Sequence, residues 1–216
     1  MTTRQKKELT KIMERIEKIL KQKRWFLKKY VIFLKIVLAS LVKEIRLKNT
    51  DIEIKTSPNN LRALLYFLQK HTLCQYKQLV EIACSDAPGK TRRFSVTYLL
   101  HSIRYNARIF VVVKTNEVSP LPSITALYRS ANWLEREVWD LYGIFFESHP
   151  DLRRILTDYG FNGHPLRKDF PLTGFLEVYY NDSTKRLSYE SVELAQEYRV
   201  FTLQSPWIQN YQKLLH

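Results

Sequence analysis

Glycine is scarce in this chain of 216 residues, at 5. That argues against Gly-rich phosphate loops and against collagen-like or linker-like architecture. Cysteine is scarcer still. Cys74 and Cys84 are the only two, with nine residues between them, so no CxxC pair or cysteine cluster could hold iron–sulfur or zinc. Both are expected to be small buried hydrophobes in a reducing compartment. Long apolar runs are missing as well. The most apolar stretch, Tyr30 to Val42, contains Lys35 and is shorter than the ~20 residues a membrane-spanning helix needs. A soluble or peripheral protein is therefore expected. The start is rich in Lys and Glu where a secretory signal would be apolar, and Glu8, Glu14 and Glu17 make it a poor transit peptide. The P-loop, GxGxxG, HExxH and GxSxG patterns are all absent, so no recognisable cofactor or nucleophile site is offered.

Hydrophobic residues make up 45% and charged residues 26%, which places the chain among globular proteins and not disordered ones. Its formal net charge is +14. Taken alone, this suggests nucleic acid or an anionic membrane as partner. The distribution weakens that reading. Residues 1–50 hold 15 Lys and Arg against 4 Glu, a net of +11, and the other 166 residues hold 20 against 17, a net of +3. The basic excess belongs to an N-terminal arm.

Along the arm, Leu9, Ile12, Ile16 and Leu20 recur at helical spacing with Ile19 beside them. They predict a basic amphipathic helix over about residues 3–29, ending near Trp25 and Phe26. A helix of this kind suits a protein partner, an anionic lipid surface or a nucleic acid. The absence of aromatics among the basic residues before Trp25 counts against single-stranded nucleic acid. Loose alternation over 43–56 predicts strands. Ser57-Pro58 reads as a helix start, with Leu61, Leu64, Leu65 and Leu68 as its apolar face to about Lys70. A second short helix is expected at Lys77–Ala83. Phe94–Leu100 and Ala107–Val113 read as a hairpin turning at Arg104–Asn106. The run 118–123, with Pro120 and Pro122, reads as loop. Ala131, Leu134, Val138 and Leu141 line a helix that Gly143 stops.

After Gly143 the periodicity fades and Pro and Gly recur. Short strands are expected at 177–180 and 185–193 around an Asn181-Asp182 turn, and an extended end at 198–207. So long an irregular stretch is unusual inside a compact domain and usually lies across something larger. The expected class is α+β: a compact domain of a small mixed sheet with helices, then a long irregular C-terminal extension that wraps a partner subunit. The expected divisions are a basic amphipathic arm at 1–42, the α+β domain at 43–143 and a partner-binding tail at 144–216.

Glu135, Arg136, Glu137 and Asp140 share one helix, and the i,i+4 spacing lets Arg136 pair with Asp140. Paired carboxylates can do acid–base work or bind a metal. A solvated or interfacial polar face is the simpler reading, because no His stands at ligand spacing. His149 and His164 lie in the tail with only Asp151 and Asp158 as nearby candidate ligands, and loop histidines more often hydrogen-bond to backbone or carboxylate. Arg153-Arg154 and Arg167-Lys168-Asp169 are set among Leu152, Ile155, Leu156, Leu166 and Phe170. That mixture of Arg and apolar side chains suits a protein interface.

Residues 132–171, NWLEREVWDLYGIFFESHPDLRRILTDYGFNGHPLRKDFP, resemble the 30-kDa subunit family of respiratory complex I, NADH:ubiquinone oxidoreductase, whose organelle-encoded members are called NADH dehydrogenase subunit 9. The family pattern falls on Glu135, Arg136, Glu137, Asp140, Leu141, Tyr142, His149, Arg153, Ile155 and Leu156. The likeness continues through PLTGF175, Gln196–Arg199 and Ser205–Trp207. It departs at Tyr179 and Asn181, where the family usually carries Arg and Asp. Residues 1–40 match no part of it.

The resemblance implies a non-catalytic core subunit of the peripheral, matrix-side arm at the mitochondrial inner membrane, organelle-encoded, with a bacterial cytoplasmic membrane as the alternative location. It implies no redox centre in this chain, with flavin and iron–sulfur clusters in partner subunits. The implied partners are the 49-kDa subunit and other peripheral-arm subunits, with no nucleic acid and no transmembrane segment. It implies signature or interface roles for Glu135, Arg136, Glu137, Asp140, His149, Asp151, Arg153, Arg154, His164, Arg167, Lys168, Asp169, Phe170 and Trp207. The competing reading of the basic arm is a nucleic-acid-binding or organellar ribosomal protein.

Overall fold

Alternation in two consecutive runs sets the centre of the structure. Phe94, Val96, Tyr98 and Leu100 point one way along one strand, and Ile109, Val111 and Val113 point the same way along the next; all are buried. Period-two spacing puts each set on a single sheet face. The computed structural model describes residues 25–48 and 51–201. In chain order the elements are α1 over 25–37, β1 (Val42–Lys48), β2 (Asp51–Thr56), a 3-10 turn (Pro58–Asn60), α2 (Leu61–Lys70), β3 (Gln78–Asp86), β4 (Phe94–Ser102) and β5 (Ala107–Thr115). Then come β6 (Leu121–Pro122), α3 (Ala131–Tyr142), β7 (Phe146–Glu147), β8 (Leu176–Asn181) and β9 (Arg186–Ser191). Two units result, one running to Phe170 and one from Pro171 onward.

In the first unit five strands form a mixed sheet in the order β1-β2-β5-β4-β3. Only the β2–β5 pair is parallel, with Ile54 beside Val111. Leu61, Leu64, Leu65 and Leu68 of α2 are fully buried and join the same core cluster as the inward sheet residues. This is the α+β architecture that the strand and helix periods implied.

Three expectations about local structure need correction. The stretch 77–83 is not a helix but most of edge strand β3, paired with β4. Its buried residues, Leu79 and Ile82, are three apart because the register shifts between Leu79 and Glu81. A bulge adds a residue to one strand, and here it gives a strand the i,i+3 spacing of a helix. The loop at 118–123 contains β6, which pairs in parallel with β7. Leu121 N–H donates to Phe145 O and Ser123 N–H to Glu147 O, so Pro122 falls where no donor is needed. Ser57 precedes the helical turn with Pro58 at its first position, but its side chain makes no cap bond.

The first unit also draws on residues outside 43–143. Helical backbone continues past the expected end near Phe26 to residue 37, and Val31, Leu34 and Leu38 enter the core at i, i+3 and i+7. Most of the expected arm helix, residues 3–24, lies outside the described residues. On the other side, Ile144 and Phe146 are buried in the same cluster.

The second unit's described part is an antiparallel ribbon, β8 with β9, turning at 182–185. Asn181 Oδ1 accepts from the N–H groups of Ser183 and Thr184, an Asx turn. Tyr179 donates its hydroxyl to Glu190 Oε1 at 2.6 Å.

Because Leu64 has no exposed surface, Leu64→Ala should lower unfolding free energy by roughly 2–5 kcal/mol. Tyr66→Ala, on the exposed side of the same helix, should change it by under ~0.5 kcal/mol. Urea denaturation of the full chain measures both.

Candidate functional site

Helix α3 carries the signature and stands at the centre of the site. It packs against β3, and its apolar residues Ala131 and Val138 face the core. Gly143 ends it in the left-handed region at φ 75°, with its N–H on Trp139 O. A Cβ at Gly143 would collide with Arg167 Nη2 and the His164 ring, so glycine is needed both for the turn and for the close approach of the following segment.

Three of the four charged signature residues on α3 are buried: Glu135, Arg136 and Asp140. A charge at a buried position must be paired or hydrogen-bonded; Arg136 and Asp140 find their partners in the irregular segment after α3, and Glu135 finds its own in Ser123 and Ile124 before it. Asp140 Oδ2 accepts from three consecutive backbone N–H groups, those of Ile155, Leu156 and Thr157, at 3.2, 2.9 and 3.0 Å. Its Oδ1 accepts from Thr157 Oγ1 at 2.7 Å and Arg154 Nη1 at 3.1 Å. Burial pushes this carboxyl up, but the Thr157 hydroxyl and the three N–H groups outweigh it and hold the acid below its ordinary range. Arg136 donates through Nε to Arg153 O at 2.9 Å and through Nη2 to Arg154 O at 3.3 Å. The expected Arg136–Asp140 pair is therefore not formed. Both residues turn from each other to the backbone of 153–157.

The carbonyls along α3 take the other contacts. His149 Nε2 is 3.2 Å from Asn132 O, and its Nδ1 accepts from Asp151 N–H at 3.1 Å. His164 Nδ1 lies 2.8 Å from Asp140 O, and burial pushes its pKa down. Arg167 Nε donates to Tyr142 O at 2.6 Å. Both histidines, weighed above as metal ligands, thus meet backbone groups. Among the described residues no set of three or more His, Cys, Asp and Glu stands close enough to hold a metal ion. Cys74 and Cys84 are free thiols, and burial pushes the Cys84 thiol up to about 12.

A second knot closes the far end. Arg93 grips Asp86 with Nε and Nη2 at 2.7 and 2.8 Å. It also reaches Glu117 at 2.6 Å and Asp169 at 2.8 Å. Lys168 N–H donates to Asp86 Oδ2. The Arg93 guanidinium holds Asp86 and Asp169 below the usual carboxylate range. Phe170 stacks at a tilt on Phe161, and a Cβ at Gly163 would strike its ring.

The structure thus gathers Glu135, Arg136, Asp140, His149, Arg154, His164, Arg167, Lys168, Asp169 and Phe170 around α3 and the sheet edge. Glu137 is half-exposed. Arg153 and Asp151 pair with each other at the surface, their side chains 72% and 57% exposed. Trp207 lies outside the described residues. Sequence reasoning missed Asp86, Arg93 and Glu117. Asp86 and Arg93 flank the β3–β4 turn, and Asp169 lies 76 residues from Arg93; no local spacing could have linked them.

The family described as respiratory-chain NADH dehydrogenase, 30 Kd subunit, matches residues 54–176, a span that holds α3 and its whole contact set. The chain is 53% identical to NADH-ubiquinone oxidoreductase subunit 9 of Reclinomonas americana, covering 74% of this chain and 78% of that protein. Subunit 9 of Acanthamoeba castellanii is 48% identical, covering 82% and 88%. Among solved structures, a chain of the membrane-bound sulfane sulfur reductase, an archaeal respiratory membrane complex, superposes with a TM-score of 0.57 at 21% identity, covering 67% of this chain and 86% of that one. At that identity the likeness shows the fold alone.

Asp140→Ala removes the acceptor for three N–H groups, Thr157 and Arg154, and should cost roughly 3–5 kcal/mol. The sign with pH follows from the depressed acid. Its contribution is full above the ordinary aspartate value of 3.8 and fades as pH falls through the lower folded value. The wild-type advantage over Asp140→Ala should therefore shrink below about pH 4, as measured by denaturation across pH 2.5–7.

Proposed function

Since the chain belongs to the family of the 30-kDa subunit of the respiratory-chain NADH dehydrogenase, we propose that it is a non-catalytic core subunit of NADH:ubiquinone oxidoreductase. In this role it carries no flavin or iron–sulfur cluster and supports the module that reduces ubiquinone. Partner contact is made by the surface of the region after Gly143, while Val31, Leu34 and Leu38, expected in an arm, belong to the first unit's core. The principal partner is the 49-kDa subunit, beside other peripheral-arm subunits, on the matrix side of the mitochondrial inner membrane. No described helix is long and apolar enough to cross a membrane.

One observation carries the structural part of this reading. The polar groups a catalytic site would use are consumed in holding the chain's own backbone: Asp140 by 154–157, Arg136 by the carbonyls of 153 and 154, His149 and His164 by backbone partners. That is the chemistry of a scaffold. Contact with partners then falls to groups left at the surface. Arg153 and Asp151 form one such patch.

The ribbon offers another. Its register puts Leu176, Val178, Tyr180, Leu187 and Tyr189 on one face, and Glu177, Tyr179, Asn181, Arg186, Ser188 and Glu190 on the other. All five residues of the apolar face are exposed. A two-stranded ribbon is marginal in water by itself, so an apolar face of this size suits burial against a partner subunit. The nucleic-acid reading of the arm, by contrast, requires binding that weakens steeply with salt.

Val178→Ser with Tyr189→Ser should reduce the amount of assembled complex severalfold while turnover per assembled complex stays near normal and the first unit keeps its stability. Native gels with in-gel NADH oxidation and quinone-reduction kinetics read the two quantities separately. Full assembly of the double variant would remove the ribbon from the docking surface. Full assembly with an altered quinone dependence would argue for a catalytic role instead.

A further inference from the structure

Glu135 is buried without any Lys or Arg partner among the described residues. Its carboxylate accepts from Ser123 Oγ at 2.7 Å and Ile124 N–H at 2.8 Å, and the closest basic group is His149 Nε2 at 3.8 Å. Arg136, next in sequence, points to the carbonyls of 153 and 154. His149 has no exposed side-chain surface. A ring whose Nδ1 accepts an N–H and whose Nε2 faces a carbonyl is the neutral Nε2–H tautomer. No cation therefore offsets a charge on Glu135. Tyr98 faces the site from β4, its hydroxyl buried and without a hydrogen-bond partner among the described residues, and Cys84 of β3 faces Tyr98 in turn.

The hydroxyls around the carboxyl can be wired either way. Ser123 Oγ lies 3.0 Å from Thr125 Oγ1, and either can be the donor. With Glu135 ionised, Ser123 donates to Oε2 and can accept from Thr125. With Glu135 protonated, Oε2–H donates to Ser123, and Ser123 donates to Thr125. No heavy atom need move, and the Glu135 and Ser123 hydroxyl protons each have an acceptor in the state that carries them.

We propose that Glu135, wired through Ser123 and Thr125 beneath α3, is a proton-binding site that fastens the 121–125 and 146–151 segments to α3 more firmly when protonated. Burial pushes the Glu135 carboxyl up to about 7, which agrees with the missing cation. Because the folded value lies above the ordinary 4.5, the stabilisation is full below about 4.5 and is lost as pH rises through about 7. The fold thus takes up a proton at neutral pH. This is a property of the chain itself and stands apart from the proposed assembly role.

Glu135→Gln copies the protonated state, with Oε1 accepting from Ile124 and Nε2 donating to Ser123. Urea unfolding of the full chain should give similar stability for wild type and E135Q near pH 5. The ratio of their folding constants should then move in favour of E135Q by up to about tenfold per pH unit between about 5 and 7, and level off above. Taking the ratio cancels His164, whose lowered value works in the opposite direction. A ratio that does not change between pH 5 and 8.5 overturns the proposal. Should E135Q fail to fold, infrared difference spectra of wild type labelled at Glu decide: a protonated buried carboxyl at pH 6 that disappears by pH 8.5 supports the site, and its absence at pH 6 overturns it.

Discussion

One carboxylate anchors the irregular segment that follows α3. Asp140 leaves the far side of α3 and closes on three successive N–H groups of 155–157, a hydroxyl and a guanidinium. An irregular segment has no ladder for its backbone groups, and buried groups left unpaired are costly. The helix supplies what the segment lacks. Asp140 takes the N–H groups, Arg136 takes two carbonyls, and α3's own carbonyls receive His149, His164 and Arg167. Charges buried on a helix would be costly alone, and backbone groups buried without a ladder would be costly alone. Each answers the other.

This arrangement changes what the family signature means. Its charged residues read naturally as an interface, because Arg and apolar residues alternate there. In the fold, most of them face inward: the carboxylate that pairs with Arg154 is Asp140 of the same chain. The surface keeps Arg153, Asp151, Lys168 and Asp169, and the ribbon's apolar face. A subunit proposed to brace a larger enzyme needs a rigid body bearing patches for its neighbours, and the α3 hub provides the rigidity through contacts that need no partner. The proton site proposed at buried Glu135, with no cation beside it, would add a dependence on proton concentration.

Much of the framework was legible. The period-two runs of β4 and β5, the leucine stripe of α2 and the stop at Gly143 each follow from one local rule, and each appears where that rule puts it. The ribbon after Leu176 also follows its alternation and turn. Edge strand β3 was not legible, because the bulge at Leu79–Glu81 imitates helical spacing. Nor was the core role of Val31, Leu34 and Leu38, whose stripe starts where the charged stripe of the arm was expected to end. The signature residues were legible as a set, but the direction of their contacts was not. An Asp four residues after an Arg suggests a pair along the helix. Only the path of residues 144–170 shows that both have better partners. The Arg93 knot joins Asp86 and Glu117, at the ends of β3 and β5, to Asp169 of the irregular segment, 76 residues along the chain.

The central claim is that residues 152–170 are held by α3 within the chain itself. Native-state hydrogen exchange on the free, monomeric full-length chain tests it most directly. The account predicts that the amides of Ile155, Leu156 and Thr157 exchange almost as slowly as those of β4, and that Asp140→Asn releases them while β4 keeps its protection. The amides of 176–191 should exchange faster than either. Rapid exchange of 155–157 in the free wild-type chain, slowed only once partner subunits are added, would contradict the account and return the signature to the interface.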